Sequence, residues 1–364
     1  MANMEQVDIR TAPSNLNREK VLQNITDISH FPTPFMDMVG RDSHDNPFFE
    51  WPCDRLAAAA ANRVIDGSAS TTPDTDGNAA VRLGNHGQIS QKTIATSTRV
   101  EASNTIGGEG LARQVQKSTW ELQRDMEMML LENNINVVDT GTGGAAGETA
   151  GLETWLDDND VTDTAKSPAT VIDASGELTL STAIGGWTNR TGNILRVLDY
   201  GDLTTPVAVS FASVKNVLNA LYNLGANPTV LMSIPKVIEK LSAFMFTSSA
   251  QISSLVRDKN EMGAAQAQAA VNTIITDHGI VVDLVSNRLM ALSGDGSPDC
   301  ATLFALDPSY LSVSYQGGGI RTKELPASGL FRSIQIHSDY GLCVKNPDTL
   351  GGIICLDEDL AATA

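Results

Sequence analysis

Several groups of residues in this chain have types and spacings that chemistry could use. Gly141-Thr142-Gly143-Gly144-Ala145-Ala146-Gly147 superficially resembles a phosphate-cradling loop, in which backbone N–H groups and a helix N-terminus receive the anion. Such a loop needs a buried strand before it and a helix after it, or a Gly-Lys-Ser/Thr ending. No Gly-Lys pair occurs anywhere, so the stretch reads as a plain loop. Asp157, Asp158, Asp160 and Asp163 cluster, as do Asp74 and Asp76 before Gly77. Calcium requires oxygen ligands on a loop that curls round the ion, and the glycine and terminal glutamate of that pattern are missing, so these read as solvated acidic turns. His30, His44, His86, His278 and His337 are scattered without an HExxH-type spacing, and no Gly-x-Ser-x-Gly elbow is present. Cys53, Cys300, Cys343 and Cys355 form no CxxC pair and read as free buried thiols in a reducing compartment. These residues call for no cofactor, no metal and no catalytic centre, and no enzyme is expected.

The elements that would position any site begin with composition. The 364 residues are 41% hydrophobic and 19% charged, an ordinary globular composition with enough chain for about two domains. No apolar run of about 18 residues exists, and the N-terminus lacks the basic, apolar, small-residue order of a signal peptide, so neither a membrane span nor export is expected. The formal charge is −18, without a basic run. A protein that grips nucleic acid needs clustered Lys and Arg to neutralise phosphates, so a DNA-binding module is disfavoured. Acidity suits a container that need not adhere to DNA, and equally a protein that must only stay soluble.

One stretch organises the rest. Gly107 to Asn134 is the longest uninterrupted helical pattern, predicting a helix over 109–134 that runs close to about 40 Å. Leu111, Val115, Leu122, Met126 and Met129 make a narrow apolar side. Arg113, Lys117, Glu121, Arg124 and Glu127 are expected on the remaining surface, with Lys117–Glu121 and Arg124–Glu127 as helix-stabilising pairs.

Before this spine, residues 1–17 are polar and aperiodic, either a disordered tail or an arm that rests on something else. Val21, Leu22, Ile25 and Ile28 give a short helical face, ended by Pro32 and Pro34. Phe48, Phe49 and Trp51 form an aromatic cluster, Asp66 to Asn78 is a turn-rich tip, and Ile94, Thr96, Thr98 and Val100 alternate along residues 91–100. Two strand-like arms around a polar tip predict a long projecting hairpin, weakly stable alone and supported by a neighbouring subunit. After the spine, 136–206 reads as loops with brief strands, apart from the amphipathic Gly151-Leu152-x-x-Trp155-Leu156. Ser210 to Leu224 predicts a helix with Val214, Val217, Leu218 and Leu221 inward and Gly225 as its stop. Thr229 to Met232 reads as a strand, and Pro235 opens a helix with Val237, Ile238, Leu241 and Phe244 inward. Residues 246–270 read as a loop or marginal helix. Strands are then expected at 271–276, 280–285, 301–306, 311–315, 331–337 and 342–345, with turns at Asp277-His278-Gly279, Gly294-Asp295-Gly296 and Gly317-Gly318-Gly319. Helices on a mixed sheet, with a separate spine and hairpin, make an α+β protein.

Trp120-Glu121-Leu122-Gln123-Arg124-Asp125-Met126-Glu127, followed by an apolar pair, resembles the "EL+RDxE" helix of the SU10-type major head proteins of tailed phages. Other pieces agree in order. Upstream are Thr33-Pro34-Phe35 with Gly40, Phe49-Glu50-Trp51 with Asp54 and Leu56, Asn85, Gln88-Ile89 and Lys92-Thr93. Downstream are Gly225-x-x-Pro228, Asp277-His278-Gly279 and Leu306-Asp307-Pro308. The resemblance covers roughly residues 15–356.

The resemblance implies an HK97-like capsid fold. Its parts would be an N-terminal arm over 1–34, an extended loop over 35–104, a peripheral domain over 105–206, an axial domain over 207–310 and a return to the peripheral domain over 311–364. It implies a structural subunit that assembles into hexamers and pentamers of an icosahedral head, in the cytoplasm of a host bacterium. That head would enclose double-stranded DNA without sequence-specific binding or membrane contact, with portal, scaffolding or decoration proteins as possible partners. Contacts between subunits are expected at Arg10 and Arg18 on the arm, at Phe48, Trp51, Ile89 and Lys92 on the hairpin, and at Arg124 and Asp125 on the spine. Some capsids of this fold crosslink through a lysine on the extended loop and an asparagine elsewhere, for which Lys92 and Asn346 match by residue type alone. An encapsulin-like compartment with protein cargo keeps the fold and changes the contents, and a soluble α+β enzyme remains the alternative if no shell forms.

Overall fold

Leu122, Met126 and Leu130 recur at every fourth position, and all three are buried along one side of a 22-residue helix, Gly110–Leu131. This is the predicted spine, about 33 Å long, and it ends at Leu131, slightly before the end its pattern implied. The computed structural model describes residues 32–53, 61, 63–67, 81–103, 110–132, 134, 136–141, 143–156, 183–184, 187–188, 197–200, 207–223, 225–244, 273–276, 278–290 and 300–357. In chain order the elements are α1 (Pro34–Met38), β1 (Gly40–His44), β2 (Phe48–Cys53), β3 (Val81–His86), β4 (Gln88–Ser97), α2 (Thr98–Glu101) and the spine, α3 (Gly110–Leu131). After α4 (Leu152–Leu156) come the short strands β5 (Ala183–Ile184), β6 (Trp187–Thr188), β7 (Val197–Tyr200) and β8 (Val207–Ala208). They lead to α5 (Phe211–Asn223), β9 (Val230–Ser233), α6 (Pro235–Phe244), β10 (Thr273–Ile275), β11 (Val281–Ser286) and β12 (Cys300–Leu306). The last strands are β13 (Leu311–Gln316), β14 (Arg321–Ser328), β15 (Phe331–Val344) and β16 (Gly351–Asp357).

While β2–β3 and β5–β6 are two-stranded ladders of their own, two larger sheets carry most of these strands. The larger has the order β10-β11-β9-β12-β16-β7, with β8 also on β16. It is mixed, because β9 runs parallel to β11 but antiparallel to β12. Helix α5 packs on β16 and β7, and α6 packs on β9 and β11. The face predicted for α5 is the one buried: Val214, Val217, Leu218 and Leu221. Gly225 stops that helix with a φ of +88°, a left-handed conformation that costs a residue with a Cβ about 1 kcal/mol.

The second sheet is built on β15, a single 14-residue strand where the pattern predicted two shorter ones. Its C-terminal half pairs with β13, and β1 lies parallel on the far side of β13. Its N-terminal half lies between β14 and β4. The three glycines expected to reverse the chain do not. Tyr315 faces Tyr340 and Arg321 faces His337, so β13 and β14 run in the same direction along β15, with Gly317–Gly319 as a bulged insertion. Gly317, Gly318 and Gly319 all have positive φ, which lets so wide a bulge form.

The projecting hairpin also differs from expectation. Strand β2 pairs with β3, from Phe48 opposite His86 to Cys53 opposite Val81. The alternating stretch beyond it is β4, which leaves the hairpin and pairs over ten residues with β15. Ile94 and Thr96 keep the expected side, whereas Thr98 and Val100 fall in the short helix α2 and are exposed. The N-terminal arm with its helical face, most of the hairpin tip, the Asp157–Asp163 cluster, residues 246–270 and the Gly294-Asp295-Gly296 turn lie outside the described residues. No helix among the described residues is long and apolar enough to cross a membrane.

Candidate functional site

The base of the hairpin is held by side chains that make hydrogen bonds in a dry interior. Asn85 on β3 is fully buried, and its amide is used at both ends. Its Nδ2 donates to the carbonyls of Leu342 at 2.8 Å and Ala150 at 3.2 Å, and its Oδ1 accepts from the backbone N–H groups of Ala150 and His86, both at 2.9 Å. Gln88 accepts from the Thr149 N–H, and the Leu342 N–H donates to the Thr149 hydroxyl. The segment before α4, the hairpin and β15 are thus laced together by buried polar groups. Trp51 on β2 donates its Nε1–H to the Val344 carbonyl at 2.8 Å, with its ring 5.8 Å from that of the buried Trp155 on α4. Phe49 lies over Gly341, where an added Cβ would come within 2.6 Å of the ring. His44 stacks on Phe49, and its Nδ1 lies 2.9 Å from the Ser314 hydroxyl. Burial lowers the His44 pKa against the opposing pull of Asp339 and its other acidic neighbours.

Beside this base a cleft of about 630 Å³ is bordered by Phe48, His86, Ile89 and Val138. Ile89 is 61% exposed and Val138 57%. Phe48 packs at 4.7 Å against His86 and is half-buried. On the connection between β2 and β3, Val64 and Ile65 are each 83% exposed.

The spine meets β4, where Lys92 lies outside the hairpin proper, through charge. Lys92 on β4 reaches Asp125 at 2.8 Å and Glu121 at 3.5 Å on α3, and Lys117 adds to Glu121 at 3.8 Å. These side chains remain between 28% and 53% exposed, so the group stabilises by about 1 kcal/mol or less.

A second junction lies where charge was not expected. Glu127 was predicted on the spine surface as the partner of Arg124, yet it is fully buried. Helix α1 begins at Pro34 with Thr33 in the N-cap position, but the Thr33 side chain makes no capping bond. Its first-turn N–H groups therefore need another acceptor. Glu127 supplies it from 92 residues away: Oε1 accepts from the Phe35 N–H at 2.8 Å and Oε2 from the Met36 N–H at 2.9 Å. Asn287, just beyond β11, donates to the same Oε1 at 2.7 Å. Burial pushes the carboxyl above its ordinary range, although the three donors pull the other way. One carboxylate thereby joins α1, the spine and the larger sheet.

The remaining expected residues place as follows. Arg124 is half-buried on the spine, Asp125 is exposed and paired with Lys92, and Arg10 and Arg18 lie outside the described residues. Asn346 follows the end of β15, and Lys92 lies in the middle of β4 with its ammonium 2.8 Å from Asp125. In the glycine-rich loop, the Gly141 N–H goes to Asp139 and the Ala145 N–H to Thr140, so these amides serve the loop itself. His278 sits in its turn, stacked on Tyr222 and bonded to Asn219. Cys53 and Cys343 are free and buried, and burial pushes the Cys343 thiol up to about 11. Among the described residues no His, Cys, Asp and Glu cluster fits a metal ion.

The profile of the SU10 major capsid protein family matches this chain over residues 8–357. The chain belongs to the SU10 major capsid protein family. A curated relative, the major capsid protein of Escherichia phage Phieco32, is 32% identical over 101 residues, which span 27% of this chain and 28% of that protein. Solved structures extend the likeness to the whole fold. The capsid of a native GTA particle superposes with a TM-score of 0.57 at 11% identity, covering 96% of this chain and 98% of that one. The Mycobacterium phage Adephagia structure gives 0.52 at 11% identity, with 100% and 99% covered. The holo-SrpI encapsulin of Synechococcus elongatus PCC 7942 gives 0.53 at 9% identity, with 96% and 95% covered. The fold is the HK97-like one, and its α+β character follows from the two sheets and their helices. Within an SU10 family member the spine motif acquires a physical reading. Glu121 and Asp125 hold Lys92, Leu122 and Met126 face the core, and Glu127 caps α1.

Proposed function

We propose that this chain builds the icosahedral head of a tailed phage, as the repeated subunit of hexamers and pentamers that enclose double-stranded DNA. The observation that carries this is the family match over residues 8–357. The geometry supports it. A hairpin rigidly held at its base but carrying Val64 and Ile65 at 83% exposure is an apolar surface that a monomer has no reason to keep. Many such modest contacts, repeated round a shell, sum to a stable particle. Subunit contacts fall on Phe48 and Ile89 beside the cleft and on the arm bearing Arg10 and Arg18. Trp51 fixes the hairpin and Lys92 with Asp125 ties β4 to the spine within their own chain, and with Arg124 they contribute to contacts through what they leave exposed. The proposed division follows the arm, extended loop, peripheral and axial parts expected from the sequence. Assembly takes place in the bacterial cytoplasm and ends in the virion, alongside portal, scaffolding or decoration proteins.

The test is sedimentation and negative-stain electron microscopy of the chain expressed alone and with the rest of its head genes. Closed shells or capsomer rings are the expected outcome, and a chain that stays monomeric under both conditions refutes the reading. The likeness to an encapsulin leaves protein cargo as the second reading, and the contents of purified particles decide between DNA and enzyme.

A further inference from the structure

The cleft beside the hairpin base has an acidic floor that the fold alone does not explain. Asp339, from the polar middle of β15, borders it and faces Ile89 across the ladder, yet is only 9% exposed. Among the described residues no N–H or O–H donates to this carboxyl group, and its Oδ1 is enclosed without a partner. His44 Nε2, likewise enclosed and unpartnered, lies 4.0 Å from Oδ1, beyond hydrogen-bond length. A Cβ on Gly87 would come within 2.8 Å of Oδ1 and 3.2 Å of Nε2, so a glycine is needed for the backbone to lie over the pair.

A buried carboxylate without donors is costly, and a cation beside it offsets the cost. The chain supplies none at contact distance. Burial lowers the His44 pKa, so its ring is neutral at pH 7, and Arg321 acts only from a distance, its guanidinium lying 3.1 Å from the Gln316 carbonyl. Among the described residues neither lysine nor arginine borders the cleft, whereas a second carboxylate, Asp139, does. Two carboxylates between apolar walls concentrate negative potential, which excludes an anion. No described cluster has the ligands for a metal ion. An ammonium group needs fewer fixed ligands, because it brings its own charge and its own N–H donors. The walls specify what carries it: Phe48, Ile89 and Val138 offer apolar surface along a cleft of about 630 Å³, within the range of small-molecule sites.

We propose that this cleft binds a small aliphatic amine as its primary ammonium ion, which donates to Asp339 at the floor while the alkyl stem lies along Phe48, Ile89 and Val138. Every residue involved belongs to one chain, so the site is independent of the shell reading.

Isothermal titration calorimetry of the full-length, unassembled chain with pentylamine tests it. Saturable single-site binding is expected, with none for pentan-1-ol, which lacks the charge, or for tetramethylammonium, which lacks N–H donors. Asp339→Asn keeps the shape of the floor and is expected to weaken binding about tenfold or more, whereas Asp283→Asn, which removes an exposed charge on β11, leaves it within about twofold. The melting temperature without ligand checks that each variant folds. Should Asp339→Asn not fold, Val138→Arg decides. That position is 57% exposed, so the fold tolerates the change, and a guanidinium on the cleft wall is expected to weaken binding about tenfold. The proposal is overturned if pentylamine shows no saturable binding up to about 10 mM, or if the folded variants bind it as the unaltered chain does, which would mark diffuse attraction to an acidic surface. Binding of Nα-acetyl-lysine methylamide about tenfold more tightly than pentylamine would assign the cleft to a lysine of a protein chain and overturn the free-amine reading.

Discussion

Replacing Glu127 tests the buried junction most directly, because its carboxylate is the common acceptor for groups on separate elements. Glu127→Ala strands the N–H groups of Phe35 and Met36 and the Asn287 amide in the interior. Each orphaned buried donor costs about 1 to 3 kcal/mol, and since neighbouring groups relax together the three come to about 4 kcal/mol, a large share of a domain's whole stability. Glu127→Gln keeps the oxygen that serves Phe35 and Asn287 but turns an NH₂ toward the Met36 N–H, so it costs about 2 kcal/mol. Urea unfolding of the unassembled chain, followed by tryptophan emission, reads both. With an m value of about 3 kcal/mol/M or more for a chain of this size, the Ala variant shifts the midpoint down by about 1 M. The pH dependence gives an independent check. Because burial raises the folded pKa above the ordinary 4.5, the folded state holds a proton in that window that the unfolded chain has released. Stability from this group therefore rises as pH falls from the raised value toward 4.5, and this slope is absent from Glu127→Gln. Comparing the two proteins cancels the opposite slope from His44, whose lowered pKa makes the folded state resist protonation as pH falls below 6.5. An Ala variant within about 1 kcal/mol of the unaltered chain, or Gln less stable than Ala, refutes the assignment of the junction to this carboxylate.

Gly151→Ala puts a Cβ 1.9 Å from the Glu132 carbonyl oxygen, where only backbone movement relieves the clash, and is expected to lose about 3 kcal/mol or more in the same assay. Gly341→Ala meets the Phe49 ring at 2.6 Å and is expected to cost about 1 to 3 kcal/mol, with faster amide exchange in β2 and β3 by mass spectrometry and little change in β9 or α5. Lys92→Met is expected to change stability by about 1 kcal/mol or less, since its carboxylate partners are already partly hydrated; a larger loss would show a stronger bridge than its exposure implies. Cys343, buried and with its thiol pushed up to about 11, is expected to resist iodoacetamide at neutral pH in the folded chain and to react once urea exposes it.

What the sequence disclosed and what it hid divide along a physical line. The α5 face and the core of the spine were legible because each lies against one apolar surface, and one-sided burial leaves a period in the residues. Strand β14 was not, since exposure on both faces removes the alternation that marks a strand and Pro326 reads as a breaker. The length of β15 was hidden because its middle, Ser338-Asp339, is polar although buried. Alternation in residues 91–100 established a strand but not its partner, and the partner proved to lie some 240 residues away, as Gln335 beside Gln91 shows. Glu127 was misplaced for a related reason. A glutamate among charged neighbours on a helix reads as surface, and the donors that justify its burial lie 92 and 160 residues distant. The family motif did contain it, together with Asn85 and Gln88, but a motif states only which residues recur and not that they are polar groups enclosed in the core.

That these enclosed groups are polar bears on how a projecting hairpin can be aimed. Apolar packing tolerates small slides, because its energy follows area and changes little with a shift of an ångström. The Asn85 amide does not: two donors and two acceptances must all be met, and a one-residue slip of β3 would leave every one of them buried and unpaired. Trp51 adds a fifth directional bond on the opposite strand, at the Val344 carbonyl. The direction of the hairpin is thus set at its root by bonds with one solution, while Val64 and Ile65 on the connection between its strands are exposed. A subunit that must meet neighbours in slightly different orientations round a closed shell is served by this division, with a fixed root to give the contact its heading and exposed apolar side chains on the connection whose contacts accommodate small changes of angle.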